Sequence, residues 1–217
     1  MSTSNNRDDL LLDNLIEHNR GGTPTEKPLH PDSFSPDEWE QLKKETWFQT
    51  FTGRRFHAFD PQPEDIHIQD IAHALSLINR YNGMTKFPYS VAQHSILVAG
   101  QVEDKYKLEA LMHDASEAYI MDVPRPWKPF FVNYKEAENL LMSCIADKFN
   151  FKWPLPDVIH TVDNKLLHTE AIQLLPGVEW ANYKHAYKNM PIQERNWRDV
   201  EHTFHMLFGQ LYYARVA

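Results

Sequence analysis

Cysteine and glycine are both scarce in this chain of 217 residues, and each scarcity excludes a class of structure. One cysteine, Cys144, cannot form a disulfide within the chain, so the fold must depend on its apolar core, as is usual in a reducing compartment. Seven glycines leave little room for a glycine-rich phosphate loop, and neither G-x-x-x-x-G-K nor G-x-G-x-x-G occurs. The nucleotide-binding α/β folds built on those loops are therefore not expected.

Positive charge and long apolar runs are also lacking. Lysine and arginine total 22 against 30 aspartates and glutamates, which gives a formal net charge of −8. Such an acidic chain is a poor partner for a long nucleic-acid backbone, although a small anionic ligand can still bind in a locally positive pocket. No apolar run approaches the ~20 residues of a membrane span. The first residues also lack the apolar stretch of a signal peptide. We therefore expect a cytoplasmic protein without a nucleic-acid or membrane partner.

Helical periodicity dominates what is present. Hydrophobic residues make up 42% of the chain, and from Asp65 onward they recur at spacings of three and four. This pattern predicts helices over residues 68–80, 90–102, 105–120, 131–149, 155–175 and from Pro191 onward, with a short one at 9–19 and another that begins after the N-cap Ser35. An aromatic stretch at 46–60, interrupted by Gly53, favours a minor hairpin. We expect an all-α, compact helical bundle over residues 46–217, preceded by an extension and linker over residues 1–45.

The segment LEALMHDASEAYIMDVPRPWK, Leu108–Lys128, combines an apolar stripe with ionisable groups. On the predicted helix, Glu117 stands four residues after His113 and three after Asp114, so the three side chains share one face. Capping, salt bridges or exposure to solvent would explain an isolated pair of such residues. Beside a nearly continuous apolar stripe, however, charges need partners, because burying one alone is costly. Imidazole and carboxylate groups are common ligands of divalent metal ions, and a carboxylate that is not a ligand can serve as a general base.

Two further residues extend this group. His94 lies in the apolar helix SVAQHSILVA, where a lone histidine is more often a core residue than a ligand. Asp163 lies in VIHTVDNKLLH, amid apolar neighbours that leave an aspartate in need of a partner. The order along the chain is therefore a histidine, a histidine-aspartate pair and an aspartate, on successive predicted helices. Two histidines and two aspartates would leave open coordination positions on a metal ion.

This order, and the longer string INRYN…SVAQHS…LMHDASEAYIMDVPRPWK…VDNKLL, resembles the HD superfamily of metal-dependent phosphohydrolases. The resemblance is to the branch that contains bacterial 5′-deoxynucleotidases and phage dATP triphosphohydrolases, and it extends from about Thr52 to Glu170. It implies a compact helical domain that is commonly a dimer or a higher oligomer. It also implies a divalent metal ion, Mn, Co, Zn or Mg, held by His94, His113, Asp114 and Asp163.

The same resemblance implies roles for five more residues. Glu117 would orient or deprotonate the attacking water. Arg80 and Lys128 would bind phosphate, and Asp122 would accept a hydrogen bond from the sugar hydroxyl. Tyr81 stands where the deoxynucleotidases carry a tryptophan that crowds the sugar. The smaller tyrosine would soften a preference for deoxyribose.

We expect an enzyme that cleaves the 5′ phosphoester of 2′-deoxynucleotides. Its substrate would be a monophosphate or a triphosphate such as dATP, since the same ester bond is cut in both. One alternative is a hydrolase of alarmones or cyclic nucleotides, but those HD branches usually place a second acidic residue beside the equivalent of Glu117, where this chain has Ala118. The other is a catalytically silent, nucleotide-binding regulator. Packing or surface roles are expected for the other histidines, which include His67, His73, His160, His168, His185, His202 and His205.

Overall fold

The computed structural model describes residues 34–216. Helix α1 spans Pro36–Glu45 and is followed by strands β1 (Trp47–Gln49) and β2 (Arg55–His57). The remaining helices are α2 (Ile68–Leu77), α3 (Val91–Ala99), α4 (Lys107–Leu111), α5 (Glu117–Ile120), α6 (Tyr134–Phe149), α7 (Asp157–Leu174) and α8 (Trp197–Val216). The predicted all-α class with a minor hairpin is confirmed. The helix predicted at 9–19 lies outside the described residues.

Helix α1 begins where the sequence predicts. Ser35 is its N-cap: the hydroxyl accepts a hydrogen bond from the Glu38 backbone N–H, and the Glu38 carboxylate accepts one from the Ser35 N–H at 2.8 Å. The helix packs against β2, since Leu42 is buried and His57 Nδ1 lies 3.3 Å from the Lys43 carbonyl oxygen. Helix α1, at the end of the predicted extension, is thus attached to the domain.

The two strands pair antiparallel and are fastened to the helices. The buried carboxylate of Asp70 on α2 accepts hydrogen bonds from the Thr52 backbone N–H at 2.7 Å and from the Thr52 hydroxyl at 3.0 Å. Phe56 of β2 is buried and stacks on Tyr119, with ring centroids 4.3 Å apart. The hairpin is therefore part of the helical core rather than a separate unit.

Helix α3 lies in the middle of the core, because α2, α4, α7 and α8 all contact it. Val91, Ala92 and Val98 on this helix are completely buried, and so is His94 between them. Water does not reach a side chain at such a position. The polar atoms of His94 must therefore be satisfied by protein groups or by a bound ion.

The prediction of one continuous helix over residues 105–120 is wrong. Helix α4 ends at Leu111 and α5 begins at Glu117, and tight turns with hydrogen bonds between residues three apart connect them. One such bond joins the Glu117 N–H to the Asp114 carbonyl oxygen at 3.0 Å. The histidine-aspartate pair therefore lies in a turn, and the helix face that it was predicted to share with Glu117 does not form.

The imidazole of His113 supplies a physical reason for this break. Its Nδ1 atom lies 2.8 Å from the carbonyl oxygen of Ala110 and donates to it. In an unbroken α-helix, that carbonyl would accept from the backbone N–H of Asp114. The side chain thus competes with the helical hydrogen bond, as polar side chains near a helix end commonly do.

The last helix begins at Trp197 instead of the predicted Pro191. The side-chain oxygen of Asn196 accepts from the Arg198 N–H at 2.9 Å, which is the interaction of an N-terminal cap. Ile192 does not belong to the helix, and its backbone N–H donates instead to the side chain of Gln173 on α7 at 2.9 Å. The side chains of α8 that face α2, α3 and α4 include the buried Val200 and Phe204. Along the part of the chain that the structure describes, no helix is long and apolar enough to cross a membrane.

Candidate metal centre

Two helices and a turn bring the predicted ligands together. His94 comes from α3, Asp163 from α7, and His113 with Asp114 from the turn between α4 and α5. His94 Nε2 lies 3.2 Å from His113 Nε2 and 3.1 Å from Asp163 Oδ1. Asp114 Oδ2 lies 3.0 Å from His113 Nε2 and 3.8 Å from His94 Nε2. Four residues from three distant segments of the chain thus present their ligand atoms to one small volume.

Both imidazole rings are held through their other nitrogen atoms. His94 Nδ1 bonds to the carboxylate of Glu170, and His113 Nδ1 bonds to the carbonyl oxygen of Ala110. These contacts place the proton of each neutral ring on Nδ1 and leave the lone pair on Nε2. Two such lone pairs facing each other repel, so a proton or a metal ion is needed between them.

The spacing of the ligand atoms fits one divalent ion. Two atoms that each lie about 2.1 Å from a common ion, at an angle of about 90–110°, are about 3.0–3.4 Å apart. The shortest separations in the cluster fall in that range. The ligand atoms of His94, His113 and Asp163 all lie within 4.8 Å of one another. These residues could therefore hold a metal ion, with Asp114 as a fourth ligand.

The charges in the cluster favour ionised aspartates. Burial would raise the pKa of Asp114, but His113 and His94 lower it to about 2. Burial would likewise raise the pKa of Asp163, which His94 and His113 bring well below its ordinary value. Burial lowers the pKa of His94, yet Glu170 and Asp163 outweigh it and raise the pKa from 6.5 to about 9. Without a metal ion, His94 therefore holds a proton at neutral pH.

Glu170 is a residue of the site to which the sequence analysis assigned no role. It is completely buried on α7, and Arg80 and His94 bring its pKa down to about 2 although burial would raise it. Glu170 follows Asp163 by seven residues, or two helical turns, so both lie on one side of α7. That spacing is the feature of the sequence from which a role for Glu170 in the site could have been predicted. Besides His94, the groups that donate to its carboxylate are Tyr89 Oη at 2.8 Å, Tyr81 Oη at 3.0 Å and Arg80 Nε at 3.2 Å, and Arg80 Nη2 forms an ion pair with it at 3.1 Å.

Glu117 is buried at the start of α5, with 5% of its surface exposed. Its Oε2 atom has no hydrogen-bond partner among residues 34–216. Burial and the charges of Asp114 and Asp122 raise the pKa of Glu117 well above its ordinary value. Burial, with a contribution from Asp114, also raises the pKa of Asp122, although Arg80 opposes it. An unpaired buried carboxylate costs stability, and perturbed carboxylates of this kind are concentrated at functional sites.

Arg80 and Tyr81, which were predicted to bind the substrate, lie beside the cluster. The guanidinium of Arg80 bonds to Glu170 through Nε and NH2, while NH1 lies 3.6 Å from Asp114 Oδ2. Tyr81 and Asn82 both have left-handed backbone conformations, with φ of 56° and 50°. Such conformations are uncommon outside glycine and mark sites where strain is maintained by surrounding contacts. The bend directs the Tyr81 hydroxyl to Glu170, so this hydroxyl is engaged by the protein.

Lys128 lies at the edge of the site, in a short turn spanning Lys128–Phe130. Its Nζ atom forms an ion pair with Glu138 Oε1 at 2.8 Å. The side chain is half-buried, and its charge lowers the pKa of both Glu117 and Asp122, in opposition to burial. Arg80 and Lys128, the two predicted phosphate-binding residues, thus both lie near Glu117 and Asp122, and each already has an acidic partner.

The other histidines of residues 34–216 lie elsewhere. His202 and His205 are exposed on α8, and His73 stacks on Phe51, with ring centroids 3.7 Å apart. Within residues 34–216, the cluster of His94, His113 and Asp163 is the group of three or more residues that could hold a metal ion.

Comparison with known proteins identifies relatives of this chain. No family model matches it. Over 149 residues, which cover 69% of this chain and 83% of the relative, it is 34% identical to the uncharacterized protein YfdR of Escherichia coli K12. Over 123 residues, which cover 52% of this chain and 63% of the relative, it is 36% identical to an uncharacterized protein of Rhodobacter capsulatus. Because the similarity to YfdR extends over most of both proteins, the chain belongs to the YfdR family.

Proposed function

We propose that this protein is a metal-dependent phosphohydrolase that cleaves the 5′ phosphoester of 2′-deoxynucleotides. One observation carries the proposal: two histidines and two aspartates converge beside the buried Glu117, whose Oε2 atom has no hydrogen-bond partner within residues 34–216. The resemblance to the HD superfamily supports the same function, because the cluster consists of the residues that match the family motif.

The metal ligands and Glu117 would have separate roles in the reaction. A divalent ion, when bound, would lower the pKa of water toward about 7 and polarise a phosphoryl oxygen. Two imidazole nitrogens and two carboxylate oxygens would hold that ion. Glu117 would orient the attacking water and accept its proton. Burial raises its pKa well above the ordinary value, and a higher pKa makes the ionised carboxylate a stronger base than that of an exposed glutamate.

Arg80 and Lys128 would bind the phosphate of the substrate. Arg80 offers NH1, which lies next to Asp114, because its other donors are bound to Glu170. A guanidinium in this position can donate to a phosphoryl oxygen and offset the charge that grows on it. Lys128 would add a second positive charge from the edge of the site.

Two further residues, Tyr81 and Asp122, would recognise the sugar. Asp122 would accept a hydrogen bond from the sugar hydroxyl, and its raised pKa is consistent with a carboxyl group that water reaches poorly. The ring of Tyr81 would crowd the 2′ position. Since the hydroxyl of Tyr81 is bound to Glu170, the ring is held in place and can discriminate by shape.

The test uses the full-length protein after removal of metal with a chelator. The substrates are dAMP, AMP, dATP, ATP and a cyclic nucleotide, each with Mn, Co, Zn or Mg and without added metal. Release of phosphate, triphosphate and nucleoside is measured. We expect metal-dependent hydrolysis that is faster for deoxynucleotides, and the products identify a monophosphate or a triphosphate as the substrate.

Two variants accompany the wild type. Asp163→Asn should abolish hydrolysis, whereas His205→Ala, which removes an exposed histidine on α8, should have no effect. Tight metal binding without hydrolysis of any nucleotide would favour the silent regulator. Hydrolysis restricted to the cyclic nucleotide would favour a signalling hydrolase. Absence of both metal binding and hydrolysis would refute the metal assignment.

A further inference from the structure

We infer that Glu170 is a positioning residue whose single carboxylate orients both the metal ligand His94 and the phosphate-binding Arg80. The part that concerns His94 rests on the geometry of the cluster alone. The part that concerns Arg80 rests on the proposed function.

The burial of Glu170 makes its carboxylate dependent on protein partners. No part of the residue is exposed, so water cannot satisfy its two oxygen atoms. Both oxygens are instead occupied by side chains. Oε1 accepts from His94 Nδ1 and from the Tyr89 hydroxyl. Oε2 accepts from the Tyr81 hydroxyl and from Arg80 Nε, and it also forms an ion pair with Arg80 Nη2. A buried charge held by so many donors has one permitted orientation.

The Oε1 side of this carboxylate determines where His94 points. A hydrogen bond from Nδ1 fixes the tautomer and the ring rotation of a histidine, and so aims its Nε2 lone pair. In this protein, that lone pair points to His113 Nε2 and Asp163 Oδ1, which lie 3.2 and 3.1 Å away. Without Glu170, the ring would have no acidic partner behind it to hold this direction.

The Oε2 side determines where Arg80 points. Nε and NH2 form a two-pronged contact with Glu170, at 3.2 and 3.1 Å. This contact leaves NH1 directed to the ligand cluster, 3.6 Å from Asp114 Oδ2. The metal ligand and the cationic group are therefore aligned by the same residue. Because Glu170 and Asp163 both belong to α7, the alignment is built into one rigid helix.

A purely structural role would have a different signature from a positioning role. Asp70→Asn removes the charge of another buried carboxylate, which accepts its hydrogen bonds from Thr52 and contacts neither His94 nor Arg80. It is therefore the matched control for the loss of a buried carboxylate. Glu170→Gln removes the charge with little change in size, and Glu170→Asp keeps the charge but shortens its reach.

The experiment measures four quantities for the full-length wild type, Glu170→Gln, Glu170→Asp and Asp70→Asn. They are the Mn²⁺ affinity of the metal-free protein by calorimetry, its melting temperature, and KM and kcat for dAMP. We expect Glu170→Gln to weaken Mn²⁺ binding by about 10- to 100-fold, the usual effect of losing the partner of a metal-binding histidine. We also expect a raised KM. Glu170→Asp should retain more affinity than Glu170→Gln, and Asp70→Asn should lower the melting temperature only.

Wild-type Mn²⁺ affinity in whichever Glu170 variant folds would overturn the inference. A second measurement needs no variant. In wild-type protein labelled with ¹⁵N-histidine and loaded with Zn²⁺, both ligand rings should bind through Nε2 and carry a proton on Nδ1, and a ring bound through Nδ1 would contradict the inference. Weakened Mn²⁺ binding in Glu170→Gln, with no hydrolysis by the wild type, would refute the proposed function and leave the positioning of His94 standing.

Discussion

His94 and His113 face each other through their Nε2 atoms at a distance of 3.2 Å, although 19 residues separate them along the chain. Each ring is held from behind by a different element, His94 by a carboxylate of α7 and His113 by a carbonyl oxygen of α4. Two neutral rings in this arrangement present lone pairs to each other. Whatever occupies the space between them, a proton or a metal ion, stabilises the pair, so metal binding and the protonation of His94 exclude each other.

Loss of one ring should abolish metal binding. We expect His113→Ala to retain less than about a tenth of the wild-type Mn²⁺ after dialysis, because the neighbouring residues cannot replace a ligand that a rigid turn supplies. Metal content is measured by mass spectrometry. Mn²⁺ should also raise the melting temperature of the wild type, since it binds the folded state, but not that of the variant. His205→Ala is the control, and full metal content in His113→Ala would remove His113 from the site.

Replacement of Glu117 should separate metal binding from turnover. We expect Glu117→Gln to bind Mn²⁺ as the wild type does and to lower kcat by about 10²–10⁴-fold, the usual range for a lost general base. The metal-free variant should be at least as stable as the wild type, because Oε2 makes no hydrogen bond within residues 34–216 that could be lost. Metal titration and steady-state kinetics provide the measurements. A variant that loses its metal but keeps its turnover per bound ion would show that Glu117 is a ligand.

Tyr81 and Asp122 should change the choice of sugar. We expect Tyr81→Ala and Asp122→Asn to alter the ratio of kcat/KM between dAMP and AMP, because only these residues would sense the sugar. Tyr81→Phe keeps the ring and should change the ratio less than Tyr81→Ala does, while it destabilises the protein by about 1 kcal/mol through the lost hydrogen bond to Glu170.

Arg80→Ala serves as the contrast for this series. It should lower kcat/KM for deoxy- and ribonucleotides alike, because both carry the same 5′ phosphate. A sugar ratio that stays at the wild-type value in Tyr81→Ala and in Asp122→Asn would place the selectivity in another part of the site.

Metal affinity should rise with pH. The pKa of His94 in the metal-free protein is raised from 6.5 to about 9, so at neutral pH a metal ion must displace a proton. Apparent Mn²⁺ affinity should therefore increase by about tenfold per pH unit up to about pH 9 and then level off. The stability of the metal-free protein should instead fall as the pH rises. Protonated His94 contributes its full stabilisation below pH 6.5, and this contribution is lost as the pH rises through about 9. Calorimetry in buffers of different ionisation enthalpy counts the released proton, and an affinity that does not change between pH 6 and pH 8 would contradict this prediction.

Much of the helical framework was predictable because its signals are local. The start of α1 depends on Ser35 and Glu38, which are three residues apart, and the amphipathic helices depend on apolar residues at spacings of three and four. The same local pattern failed for residues 105–120. There, the His113 side chain takes a backbone carbonyl that an unbroken helix would use, and periodicity alone carries no sign of that competition.

The sequence by itself determined an all-α chain that carries His94, His113, Asp114, Glu117 and Asp163 on apolar segments, where each ionisable group needs a partner. Only the tertiary structure decided which partners those are. It placed the histidine-aspartate pair in a turn, and it used Glu170 to hold both His94 and Arg80, from which it is 76 and 90 residues away in the chain. Helical periodicity relates residues within one or two turns. Contacts between distant segments arise when the helices pack around a common core, so no local pattern in the sequence specifies them.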